Sequence, residues 1–231
     1  MKSIKPALVA VTILVSGCVT PPQTAVYLDQ NSLASQSGRL GIAMTTLPKV
    51  DIHLPGTGVG CLLCMAAASI SNSTLTAHVR TLPYEDLPNI KEYIAASLRK
   101  KGADVTVIEE DLDMEKLSEA SAKGPDIARK NFSPLRQKYN IDRLLVIDID
   151  TLGVSRTYSA YFSIGDPQVV LQGTGYIVNL KDNTYEWYLP VNIFRSSDGD
   201  WNEPPHFPRL TNAYLQALET GKGSFTRPFA K

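Results

Sequence analysis

The sequence predicts an α/β fold, a mixed sheet in which β-α-β units precede an antiparallel meander and helices pack on the sheet. Two observations lead there. Between residues 86 and 150, short apolar runs alternate with segments of helical periodicity, the pattern of parallel strands joined by helical crossovers. Between residues 168 and 194, two β-rich runs flank the polar triplet Lys181-Asp182-Asn183, the pattern of an antiparallel hairpin.

The body opens near Arg39, where Leu40-Gly41-Ile42-Ala43-Met44 is a short apolar run and a first strand. Asp86 is placed to cap a helix, and Pro88 sits at an early helical position, where a missing N–H is tolerated. Ile90, Ile94 and Leu98 then recur every four residues, Arg99, Lys100 and Lys101 suit the negative end of the helix dipole, and Gly102 supplies a left-handed stop. Residues 103–108 follow as a strand, 113–122 as a polar helix, and 126–139 as a further helix that Pro134 bends or breaks. Residues 143–150 give the clearest strand, and 152–164 pair back as another before the turn at Gly165-Asp166-Pro167. A helix over residues 209–219 closes the chain.

Upstream of the body, Met1-Lys2-Ser3-Ile4-Lys5 is a short positive start, followed by an uncharged apolar run over residues 7–15. This is the pattern of a secretory signal, and the run is shorter than the roughly 20 residues a membrane-crossing helix needs. Its end, Val15-Ser16-Gly17-Cys18, resembles the lipobox of bacterial lipoproteins. The resemblance implies cleavage after Gly17, diacylglycerol on the Cys18 sulfur, and a third acyl chain, such as palmitate, on the new amine. Each buried methylene contributes roughly 0.8 kcal/mol, and two membrane signals suffice for stable anchoring. In enteric bacteria an Asp after the cysteine retains such proteins in the inner membrane; here Val19 follows, which implies the outer membrane and a periplasmic body. Residues 1–17 then read as a signal peptide, 18–38 as a lipid-anchored tether rich in Pro, Gln, Ser and Thr, and 39–231 as one α/β periplasmic domain.

Composition narrows the function. The 231-residue chain carries 23 basic and 23 acidic residues, so no basic face for nucleic acid is expected. With Cys18 assigned to lipid, Cys61 and Cys64 stand alone in a C-x-x-C spacing, in a compartment where disulfides persist. They read as a disulfide, as two buried thiols, or as a redox dithiol. Zinc lacks a second C-x-x-C or a histidine pair, and no metal or cofactor is expected.

The remaining chemical candidates are weaker. Pro55-Gly56-Thr57-Gly58-Val59-Gly60 is glycine-rich but lacks the Gly-Lys-Ser/Thr end of a phosphate loop. Asp148 and Asp150 alternate with Ile147 and Ile149, so both carboxylates share one strand face, which reads first as a half-solvated face and only second as an acid/base or cation pair. Residues 196–203 start like a calcium loop, but Glu203 replaces the required glycine and Arg209 falls where the bidentate acid belongs. No Gly-x-Ser-x-Gly elbow occurs, and the only histidines are His53, His78 and His206, so no catalytic residue is assigned.

The least ordinary stretch is the insertion at residues 54–77, which holds no Asp, Glu, Lys or Arg. Cys61-Leu62-Leu63-Cys64-Met65-Ala66-Ala67-Ala68 is continuously apolar and rich in helix formers, so a short helix is expected, packed in the core or touching a membrane or partner through Val59, Leu62, Leu63, Met65 and Ile70. A lipidated cysteine, a first strand, an apolar excursion, then helix, strand, helix and a β-rich end together resemble the periplasmic α/β domains of envelope-assembly lipoproteins of the curli-secretion type. That resemblance implies a non-enzymatic binding or assembly module with an envelope protein partner or self-association. It also raises an oligomeric secretion channel as an alternative, beside an envelope C-x-x-C oxidoreductase or hydrolase.

Overall fold

The computed structural model describes residues 23–29, 38–56 and 61–230. Cys18, Val59, the signal segment and most of the tether lie outside them.

The centre of the sheet is β4 (Arg143–Ser155). It pairs in parallel with β1 (Leu40–Met44) along its first half and with β2 (Asp51–His53) along its last residues. β3 (Val105–Val107) adds in parallel to the far side of β1. On the other flank the sheet turns antiparallel. Beyond a two-stranded excursion of β5 (Tyr158–Ser159) and β6 (Phe162–Ser163), β7 (Gln168–Asn179) pairs with β4 and β8 (Thr184–Arg195) pairs with β7. The mixed α/β architecture expected from the sequence is the one observed, with strand order β3-β1-β4-β7-β8.

Side chains alternate across the sheet because successive Cβ atoms point to opposite faces. Leu145, Ile147 and Ile149 of β4 enter the larger core, while Leu144 and Val146 enter the smaller one. A bulge at Asp150 then shifts the register, so that Leu152 and Val154 return to the larger core with the opposite parity. Without that extra residue the last turnings of β4 would direct both side chains to the wrong face. The bulge also corrects one expectation: residues 152–155 continue β4 instead of pairing back as a separate strand, and only the short β5–β6 hairpin turns away.

Two helices form from the uncharged insertion, α1 (Leu62–Ser71) and α2 (Ser73–Val79). α3 (Ile90–Lys100) covers the larger core with Ile90, Ile94 and Leu98, and each such fully buried side chain contributes roughly 1.5–3 kcal/mol. It ends as its sequence predicts. Gly102 has φ +86°, its N–H donates to the Arg99 carbonyl, and the Ala103 N–H donates to the Leu98 carbonyl. Asp86 makes no side-chain cap; residues Leu87–Asn89 form a 3-10 turn ahead of α3, and the Asp86 carboxylate meets Lys222 instead.

Other expected helices change length. The polar helix at 113–122 shrinks to the 3-10 turn Met114–Lys116, because the following residues run as a ribbon in which Glu119 bridges Lys130. The helix at 126–139 is α4 (Ser133–Tyr139) alone, with Pro134 in its first turn, where the ring obstructs nothing. The closing helix, α5 (Pro208–Ala230), runs well beyond Glu219. Gly221, inside this helix, is a contact residue: a Cβ there would stand 2.7 Å from the Leu171 side chain of β7.

Candidate functional site

α1 is built from residues of high helix propensity, and its first turn is tied by chemistry at both ends. Cys61 is its N-cap, with Sγ accepting from the Cys64 N–H at 3.2 Å, and the sulfurs of Cys61 and Cys64 are bonded to one another. Cys64, Ala68 and Asn72 repeat every four residues and form a buried stripe that Leu75 and Val79 of α2 continue into the larger core. Everything else on α1 faces outward. Leu62, Leu63 and Ile70 are 79%, 75% and 75% exposed, and Met65 is half exposed. The contact residues expected from the sequence, Val59 aside, therefore fall together on the outer face of one helix.

The hub that holds α1 was not visible in the sequence. Asn72, buried at the break between α1 and α2, donates through Nδ2 to the Ala68 carbonyl at 2.7 Å and to the Tyr158 hydroxyl at 2.6 Å. Its Oδ1 accepts from Arg156 Nη1 at 2.8 Å. The Arg156 guanidinium lies over the Trp201 ring, 4.9 Å from the ring centre. Tyr158 and Arg156 flank the start of the β5–β6 hairpin, so the hairpin and α1 share one polar joint. Gly56, with φ +83°, passes so close to the Tyr158 carbonyl that no side chain fits between them.

Asp148 and Asp150 line a second feature, an open cleft of about 560 Å³ with Thr45, Asp111, Asp113, Met114 and Lys116 among its walls. Burial pushes the Asp148 carboxyl above its usual range; the Thr45 hydroxyl, donating at 2.8 Å, opposes this, and the Asp150 charge adds to it. The cleft lining contains neither histidine nor cysteine. Among the described residues no group of three His, Cys, Asp or Glu side chains is placed to hold a metal ion. Because the folded state holds the Asp148 proton more tightly than the unfolded chain, stability falls as pH rises from the ordinary value of 3.8 through the raised one. Asp148→Asn is therefore expected to melt about 2 °C above the parent protein at pH 7. The difference should vanish below pH 3.8. A variant that melts lower at pH 7 would show that the carboxylate is stabilising.

The loop at residues 196–203 holds a cation of its own. Arg209 Nε donates to Glu203 at 2.6 Å and Nη1 to the Asp198 carbonyl at 2.6 Å, so the guanidinium occupies the space between the loop oxygens. Of the histidines, His78 and His206 are brought within 6.5 Å of each other, with His78 Nε2 against the Thr211 hydroxyl at 2.8 Å. Burial lowers the His78 pKa, with His206 adding to the effect. His53 lies elsewhere, its Nε2 near the Leu152 carbonyl.

No protein-family model matches the chain, and no curated protein does. Several solved structures are similar in part. Protein XCC0632 from Xanthomonas campestris is 12% identical, covering 85% of each chain with a TM-score of 0.38. Lipoprotein GNA1162 from Neisseria meningitidis is 13% identical over 80% of this chain and 97% of its own, with a TM-score of 0.28. A PelC dodecamer from Paraburkholderia phytofirmans is 9% identical over 79% and 92%, with a TM-score of 0.26. Likenesses this distant carry no inference about what the present chain does. Among the described residues no helix is long and apolar enough to cross a membrane.

Proposed function

We propose that this chain is a lipid-anchored protein of the bacterial envelope, attached through Cys18 at the outer membrane, whose α/β body is a non-enzymatic binding or assembly module with α1 as its contact face. The observation that carries the reading is the outer face of α1. A helix of ten residues, in a segment without a charged side chain, buries only Cys64 and Ala68 and leaves four large apolar side chains to solvent. Isolated exposed apolar residues are ordinary on protein surfaces, but a contiguous group of this kind marks a contact site. The motif Val15-Ser16-Gly17-Cys18 supports the anchor.

Two measurements test this. Cells expressing the full chain should incorporate labelled palmitate into the protein, and Cys18→Ala should abolish incorporation; labelling that survives Cys18→Ala refutes the assigned anchor. Deleting residues 58–70 should leave a folded, secreted body, since the core is anchored through Leu75 and Val79 of α2 rather than through α1. The same deletion should remove the crosslinks that the parent protein makes in intact cells. If the deleted protein cannot fold, α1 belongs to the core and the contact reading loses its basis.

A further inference from the structure

The β5–β6 hairpin carries a second apolar group beside the first. Tyr161, Phe162 and Ile164 are 52%, 77% and 58% exposed, and residues 157–165 contain no charged side chain. Because the hairpin is bonded to the end of α1 through Tyr158, Asn72 and Arg156, the two uncharged segments occupy the same end of the molecule, beyond the last residues of β4. Seven of the large apolar side chains left exposed on the described surface lie on these two short elements.

The direction in which the chain reaches this sheet says what covers that end. β8 runs in the same direction as β4, since each is antiparallel to β7. Val26 bridges Tyr188 of β8 in antiparallel sense, with Val26 N–H donating to the Tyr188 carbonyl and Tyr188 N–H to that of Val26. The segment before Val26 therefore heads toward Arg195, the end of β8 that pairs through Val169 with Val154. That is the end from which the hairpin and α1 project. Residues 18 to 26, fully extended, reach at most about 28 Å, and the rise of a strand from Tyr188 to Arg195 is about 24 Å. A lipid on Cys18 thus comes within reach of the apolar end of the sheet, the end toward which the segment before Val26 heads.

We infer that the anchored body lies against the bilayer, with the outer face of α1 and the β5–β6 hairpin set into the membrane interface, instead of standing off on a tether. This rests on the lipid anchor proposed above. An uncharged surface of Leu, Met, Ile and Phe suits the boundary between headgroups and acyl chains, to which such elements penetrate about 5–10 Å, and tyrosine at its edge suits the headgroup level. The disulfide at the start of α1 keeps Leu62 and Leu63 presented on a closed helical turn.

The test uses the full-length acylated protein in vesicles of phosphatidylethanolamine and phosphatidylglycerol with brominated acyl chains, which quench tryptophan at that depth. Phe162→Trp and Leu63→Trp should each lose about half of the added emission relative to unbrominated vesicles. Gln137→Trp, on α4 beside the start of β4, should lose none. If palmitate is incorporated but neither Trp at 63 nor Trp at 162 is quenched, the inference is overturned while the anchor stands. A multimer by native mass with both positions unquenched would give the face to a second copy, which also overturns it. If palmitate is not incorporated, the anchor reading fails and takes the inference with it.

Discussion

Replacing Asn183 by alanine is expected to lower the stability of the protein by about 3 kcal/mol or more, measured as the shift in denaturant midpoint at constant slope. Asn183 ends the turn between β7 and β8, is 8% exposed, and holds the segment that precedes α4. Its Nδ2 donates to the carbonyls of Ala128 at 3.0 Å and Lys130 at 2.9 Å, and its Oδ1 accepts from the Phe132 N–H at 2.9 Å. Alanine would strand the buried Ala128 carbonyl and Phe132 N–H, each at a cost of about 1–3 kcal/mol, and the partly buried Lys130 carbonyl. It would also have to adopt φ +62°, a left-handed conformation that asparagine tolerates. Asn183→Gly separates the two effects, because it keeps the backbone relaxed and loses only the hydrogen bonds; it should be about 1 kcal/mol milder than alanine. Asn183→Asp retains the acceptor to Phe132 but turns a carboxylate toward two carbonyls, and should be at least as damaging as alanine. A near-neutral Asn183→Ala would show that the segment at 126–132 is held by something else.

Gly153→Ala is expected to cost about 3 kcal/mol or more and to detach β2 from β4. Gly153 has φ +139°, and a Cβ built on it would lie 1.9 Å from the Asp51 carbonyl oxygen. The obstacle is backbone, so no rotamer change relieves it. The lever also acts on the contact face, because β2 leads directly into the segment that carries α1. Amide exchange at Arg156, whose N–H donates to the His53 carbonyl of β2, should therefore accelerate even under conditions where the sheet centre remains protected. Gly165→Ala is the control: φ there is +75°, but nothing lies within 4 Å of the added Cβ. It should cost only about 1 kcal/mol, so equal losses at the two glycines would refute the clash as the cause.

These two residues mark where local reading of the chain stops. Asn183 is legible in sequence as a turn residue beside Lys181 and Asp182, which is what it is locally. That its amide also pins residues 128–132 depends on a fold that brings a distant loop against the turn. Gly153 reads as a residue inside a β-rich run; its necessity comes from β2, a three-residue strand too short to announce itself by periodicity. The candidate site divides in the same way. The uncharged insertion and the expected contact residues Leu62, Leu63, Met65 and Ile70 come from composition alone. Asn72, Arg156 and the apolar tip of the β5–β6 hairpin do not, because Tyr161, Phe162 and Ile164 lie among small and polar neighbours in a run that reads as one continuous strand.

Some features are imposed by neighbouring residues on one another along the chain. These include the α/β class, the capped end of α3 at Gly102, the paired runs of β7 and β8, and a helix at the C-x-x-C segment. Others are set by contacts between residues far apart in the chain. The bulge at Asp150 returns Leu152 and Val154 to the core, α5 continues through Gly221 because that glycine seats it on Leu171, and α4 begins only after the segment that Asn183 holds from a distance. The common end of α1 and the hairpin is of the same kind. Side-chain burial and strand register are properties of the packed sheet, and a local sequence pattern has no means of recording which distant face will cover it.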